Sequence, residues 1–233
     1  MLRRFVLILA SLSLAGAHDI ITTKITFSKE ISRLIYKRCA TCHHDGGAAF
    51  SLMTYDEARP WAKAIKEEVL ERRMPPWEAI KGFGEFRDDR GLTQEELETI
   101  SAWVEGGAPE GDPKYLPPRP KLAAWQDPPA PKGSSEIVVA DGAKLTASSK
   151  VLAIRAKNLK AGATVQIVAI RTDSSIEPLL WIYQYNPAFH RTYYYASSLT
   201  LPAGTKIEMS PADSGTVGLF VKESAAAYRL RIR

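Results

Sequence analysis

The stretch Cys39-Ala40-Thr41-Cys42-His43-His44 holds both cysteines and two of the four histidines of a 233-residue chain. Two thiols three apart, followed at once by an imidazole, suit three kinds of chemistry: a dithiol redox pair, a zinc site, or covalent capture of a haem. A thioredoxin-like pair should follow a strand and open a helix; here the pair closes a helical pattern and no strand-like run precedes it. A structural zinc needs about four ligands arranged around it, and Cys39, Cys42, His43 and His44 are too contiguous to surround one ion. A disulfide across two intervening residues closes almost no loop and would stabilise little. The C-x-x-C-H reading gives every position a task. The thiols of Cys39 and Cys42 add across the haem vinyl groups as thioethers, and His43 turns its imidazole onto the iron as proximal ligand. The expected cofactor is one haem c.

A second axial ligand is expected at Met74, in Arg72-Arg73-Met74-Pro75-Pro76-Trp77. Pro75 disfavours the helical region for Met74 and starts a stiff, extended loop, from which a thioether can be aimed and would raise the reduction potential. Most methionines fill core gaps instead. The other candidates are Met53 and His44, close in sequence to His43, and Met209 and His190, far along the chain.

These residues need elements to position them. The apolar run Ile31, Leu34, Ile35 predicts a helix over about 28–39 capped by Ser28. Thr54-x-x-Glu57 is a capping-box pattern opening a second helix through Trp61, Ile65, Val69 and Leu70, which Pro60 should kink or restart. Thr93-x-x-Glu96 opens a third, burying Leu97, Ile100 and Trp103 or Val104 and stopping at Gly106-Gly107. Around 113–135 the chain is dense in proline and reads as a semi-rigid linker. Beyond it the period changes to two: 164–172, 178–185, 191–201, 215–223 and 227–233 read as short strands of a sandwich, separated by turns at 173–175 and 202–205. The expected organisation is a signal peptide over 1–17, a haem domain over 18–112, a linker over 113–135 and a β-sandwich-like domain over 136–233. In fold class this is an all-α domain followed by an all-β one.

Composition is that of an ordinary globular chain, 45% hydrophobic and 24% charged. The N-terminus has Arg3 and Arg4, an apolar run from Phe5 to Ala17 and an Ala15-Gly16-Ala17 site, the pattern of a cleaved export signal too short to span a membrane. Cleavage would leave His18 first and place the protein in the periplasm. The formal charge of +5 falls to +3 without the two arginines, and to about +1 with two propionates, which is weak grounds for a nucleic-acid partner. Lys63, Lys66, Arg72 and Arg73 could form a basic patch, though a solvated helix face explains them as well.

Taken together, a helix ending in C-x-x-C-H, a second helix, Met-Pro, and Leu92 to Pro109 resemble a class I monohaem cytochrome c domain. Residues 50–77 and 92–113 are similar to the cytochrome domains found in exported bacterial proteins alongside copper type II ascorbate-dependent monooxygenase-like domains. The resemblance covers Phe27 to Pro113. It implies that Cys39 and Cys42 bind haem, that His43 and Met74 ligate iron, and that Trp61 and Trp77 pack around the porphyrin. Residues 165–209 resemble such a β domain more weakly. The family's H-x-H copper pair is absent, and one histidine, His190, does not make a copper site, so the oxygenase function is not carried over. Three classes of function follow. The favoured one is an electron carrier between periplasmic redox proteins. A haem enzyme such as a peroxidase would need an open iron position and distal acid–base groups. A redox subunit or sensor would use its β domain to dock a partner or substrate.

Overall fold

A computed structural model describes residues 23–122, 129–189 and 191–223. The expected export signal, His18, His190 and the strand expected at 227–233 lie outside the described residues. Helices come first, then two antiparallel sheets, a mixed helix-plus-β architecture.

Helix α1 is a composite: π-helical turns Phe27–Ile31 and Ile35–Cys39 flank an α-helical turn Ser32–Leu34. Its cap is Thr26, not Ser28; the Thr26 hydroxyl accepts from the Lys29 amide (3.3 Å), and Ser28 is buried inside the first turn. Helix α2, Tyr55–Ala58, opens with the full Thr54/Glu57 capping box. A 3-10 turn Arg59–Trp61 around Pro60 then restarts the chain as α3, Ala62–Leu70. Helix α4, Gln94–Glu105, carries the Thr93/Glu96 box and ends at Gly106. Phe27, Ile31, Ile35, Val69, Leu92, Leu97, Ile100 and Trp103 belong to the helical core. Trp61 and Leu70, expected on the buried stripe, are exposed. Of the four residues of the possible basic patch, Lys66 is paired with Glu105 and Arg73 with Glu68.

The β part has strands β1 Ser135–Ala140, β2 Ser149–Ala156, β3 Val165–Ile170, β4 Ile176–Ile182, β5 Thr192–Leu201, β6 Lys206–Ser210 and β7 Thr216–Glu223. One sheet has the order β1-β7-β2-β5, the other β4-β3-β6. Alternating residues from both enter one core: Val151, Ile154, Val217, Leu219 and Val221 from the first, Val165, Ile167, Leu180, Ile182, Ile207 and Met209 from the second. A register shift between Val151 and Ala153 changes the phase of β2, so Ile154 enters this core while Ala153 packs outward with Tyr194 and Phe220. Strands β1, β2 and β6 were not among the runs expected from the sequence. β1 begins at Ser135, inside the expected linker, which also holds a 3-10 turn Pro113–Tyr115.

The division at 112/113 does not separate two cores. Trp77 and Ala79 belong to the core of the β part, with Phe86 packed against it. The segment carrying them closes two sheet edges. The Ile80 amide donates to Trp181 O (2.8 Å) and the Tyr183 amide to Glu78 O (2.9 Å), along β4. The Arg87 amide donates to Tyr194 O (3.0 Å) and the Ala196 amide to Glu85 O (2.8 Å), along β5. Unpaired sheet edges are liabilities that proteins cover, and here chain from the helical part covers both. Gly84 lies in the turn between the two pairings, with φ +77 and Leu179 O 2.7 Å from where a Cβ would be. Only glycine fits there without strain.

Candidate functional site

Cys39 is the last residue of α1, and the chain then curls tightly. The amides of Cys42 (3.1 Å) and His43 (3.0 Å) both donate to Cys39 O, which draws the two thiols and the imidazole into one turn. The following loop folds back on it through Ala49 N to Cys42 O (3.0 Å) and Leu52 N to His43 O (3.3 Å). This return brings Phe50 O to His43, whose Nδ1–H donates to it at 2.9 Å. Held in that tautomer, the imidazole keeps the Nε2 lone pair for a ligand, the arrangement in which a metal-binding histidine is oriented through its other nitrogen.

Both thiols are free and half-buried. Burial pushes the Cys39 thiol up to about 12, against the pull of Arg38 the other way. A dithiol redox catalyst needs the opposite, a thiol with lowered pKa, so this environment disfavours that reading. Among the described residues no group of three or more His, Cys, Asp or Glu converges as a metal site. His44 has its Nδ1 buried without a hydrogen-bond partner.

Arg38 anchors the turn. Its guanidinium donates to both carboxylate oxygens of Glu96 at 3.0–3.1 Å and to Asp89 O at 3.1 Å, joining α1 to the first turn of α4 and to the preceding loop. The sequence marks Glu96 only as a capping-box residue, and nothing in residue type joins it to Arg38, 58 positions earlier.

Met74 follows the end of α3. Arg72 adopts a left-handed φ of 58°, and the amides of Arg73 (2.9 Å) and Met74 (3.1 Å) return to Glu68 O, a Schellman-type stop. The Met74 side chain is 38% exposed, whereas Met53 and Met209 are buried core residues. Met74 lines a cavity with Val69, Trp77, Leu92 and Leu97; a second, with Cys39, Ile35, Ile65 and Trp103, meets the same Leu92. Met74 and Cys39 thus line separate cavities that have Leu92 in common. Trp61 lies on Phe50 (ring centroids 4.7 Å), and Phe50 stands edge-on to His43 (5.1 Å). Trp77 is buried against Tyr193 (4.9 Å) and Phe86 (6.3 Å). Trp77 also lines the Met74 cavity, and its buried indole N–H has no acceptor.

No family model, curated protein or solved structure matches this chain.

The donor set itself can be tested against a covalently held haem. Two thiols at C-x-x-C spacing, an imidazole oriented through Nδ1 and a thioether on a stiff loop are the types such a group requires, and all are present. These two cavities are small, about 30 and about 10 Å³, against roughly 300–1,000 Å³ for ligand sites in general. Enclosing a macrocycle would therefore require the side chains around Leu92 to part. Among the described residues no helix is long and apolar enough to cross a membrane.

Proposed function

We propose that the chain is an exported, periplasmic monohaem cytochrome c that carries one electron between redox proteins. In this reading Cys39 and Cys42 hold the haem as thioethers, His43 is the proximal iron ligand and Met74 the distal one. The observation that carries it is the C-x-x-C-H turn, with the His43 imidazole fixed through Phe50 O and its Nε2 left for a metal.

When bound, the group supplies a one-electron ferrous/ferric couple, and the protein supplies the rest. His43 is oriented before ligation by the Phe50 carbonyl, which also strengthens it as a donor. Met74 offers a soft neutral ligand that favours the reduced metal. Phe50 (51% exposed), beside His43, and Trp61 (47%), lying on Phe50, leave apolar surface that a flat apolar ligand would cover. The unpaired indole N–H of Trp77 offers a donor for a carboxylate of that ligand. A reduced-minus-oxidised visible spectrum of protein made with a c-haem maturation system tests the reading. Sharp bands of a low-spin c-type haem are expected, and a colourless product would contradict it.

A further inference from the structure

We propose that the β part is the positioning element for the sixth iron ligand, and that Tyr193 is its key residue. This rests on the assignment of Met74 under Proposed function and goes beyond it, since it gives the sheets a task in the redox site.

Met74 is held from two directions. Upstream, its own amide and that of Arg73 are fastened to Glu68 O at the end of α3. Downstream, only Pro75 and Pro76 separate it from Trp77, and two prolines leave little freedom in φ. Trp77 and Glu78 are then packed into the β part. The Tyr193 ring packs edge-on against the Trp77 indole at 4.9 Å. The Tyr193 hydroxyl donates to Glu78 Oε2 at 2.7 Å, a bond buried on both sides. Glu78 is 8% exposed; its Oε1 makes no hydrogen bond, and its Oε2 accepts the one from Tyr193. Burial first, and the nearby Glu78 second, raise the Tyr193 phenol well above its ordinary range, which keeps the donor protonated. The Glu78 carbonyl and the Ile80 amide are fastened to β4 in turn. A shift of Tyr193 therefore passes through Trp77 and two prolines to the thioether.

Tyr193 would act as a positioning residue, not a ligand, and the test must separate this from loss of fold. In full-length holoprotein, Tyr193→Phe keeps the ring and removes the hydroxyl. The ferric thioether–iron absorption band should weaken, the reduction potential should fall, and cyanide should bind about tenfold more tightly, the equilibrium equivalent of losing one buried hydrogen bond. Glu78→Ala should behave alike, and Glu78→Gln, which keeps an acceptor, should lie close to wild type. Tyr195→Phe is the control: it removes a buried hydroxyl whose bond, to Leu179 O at 3.1 Å, stays within the β part. Its band and cyanide affinity should be those of wild type. If Tyr193→Phe leaves band and affinity unchanged, or Tyr195→Phe alters them equally, the proposal is overturned. A wild-type protein without the band, or one that keeps it in Met74→Ala, overturns the ligand assignment and this inference with it.

Discussion

Arg38 and Glu96 form a side-on ion pair, the Nε and Nη2 atoms of one facing both oxygens of the other, with each side chain about one-tenth exposed. It ties the residue before Cys39 to the N3 position of α4, where the same carboxylate also accepts from the Thr93 amide. One carboxylate thus caps a helix and anchors the cysteine turn. Glu96→Gln should leave Arg38 with a poorer partner in a mostly buried setting and cost about 2–3 kcal/mol. Urea unfolding of the full chain measures this, and a loss under about 0.5 kcal/mol would show the pair to be energetically idle.

The same carboxyl makes stability depend on acid. Burial pushes the Glu96 carboxyl up, but hydrogen bonds from the Thr93 amide, Arg38 and Lys37 outweigh it and hold the group below the usual carboxylate range. A group with a lowered folded-state pKa stabilises the fold above its unfolded value, about 4.3 for Glu, and that stability fades as pH falls through the folded value. The gap between wild type and Glu96→Gln should be constant from pH 7 to pH 5 and shrink below about pH 4.3. A gap that widened toward acid would contradict the sign.

Gly84 offers a local test of the edge-covering segment. Gly84→Ala places a methyl 2.7 Å from Leu179 O at a φ of +77, and should cost about 1–3 kcal/mol. Thermal unfolding would register it, and gel filtration would show self-association if the edges of β4 and β5 come free. An unchanged melting temperature would mean that the segment is not held as described.

Much of this architecture was legible in the sequence. Thr54/Glu57 and Thr93/Glu96 announced their helices because a capping box is a local, reciprocal pattern. The alternation Val217, Leu219, Val221 announced β7 because one face is buried. The cysteine turn was visible as spacing, although Phe50, which orients His43, was not, since a backbone carbonyl seven residues on leaves no mark in residue type. The union of the 77–87 segment with the sheets was also hidden. Its contacts are backbone bonds to distant edge strands, with no periodicity of their own, and a proline-rich linker suggested separation where the chain had already crossed over.

That union predicts how fragments behave. A fragment of residues 135–233 lacks Trp77, Ala79 and Phe86 and leaves the Tyr193 hydroxyl without Glu78. It should unfold with less cooperativity than the intact chain, or associate through its open edges. Fragment 18–112 should lose the order of the loop beyond Met74. Two well-folded, independently stable halves in denaturation and hydrogen-exchange measurements would contradict the shared core.

In the proposed function Cys39 and Cys42 hold a haem covalently. Intact-mass measurement under denaturing conditions, on protein exported from a host with a c-haem maturation system, tests it most directly. The expected result is a polypeptide heavier by the mass of one haem, an increment absent when both cysteines are replaced by alanine. A wild-type mass equal to that of the bare chain would contradict it.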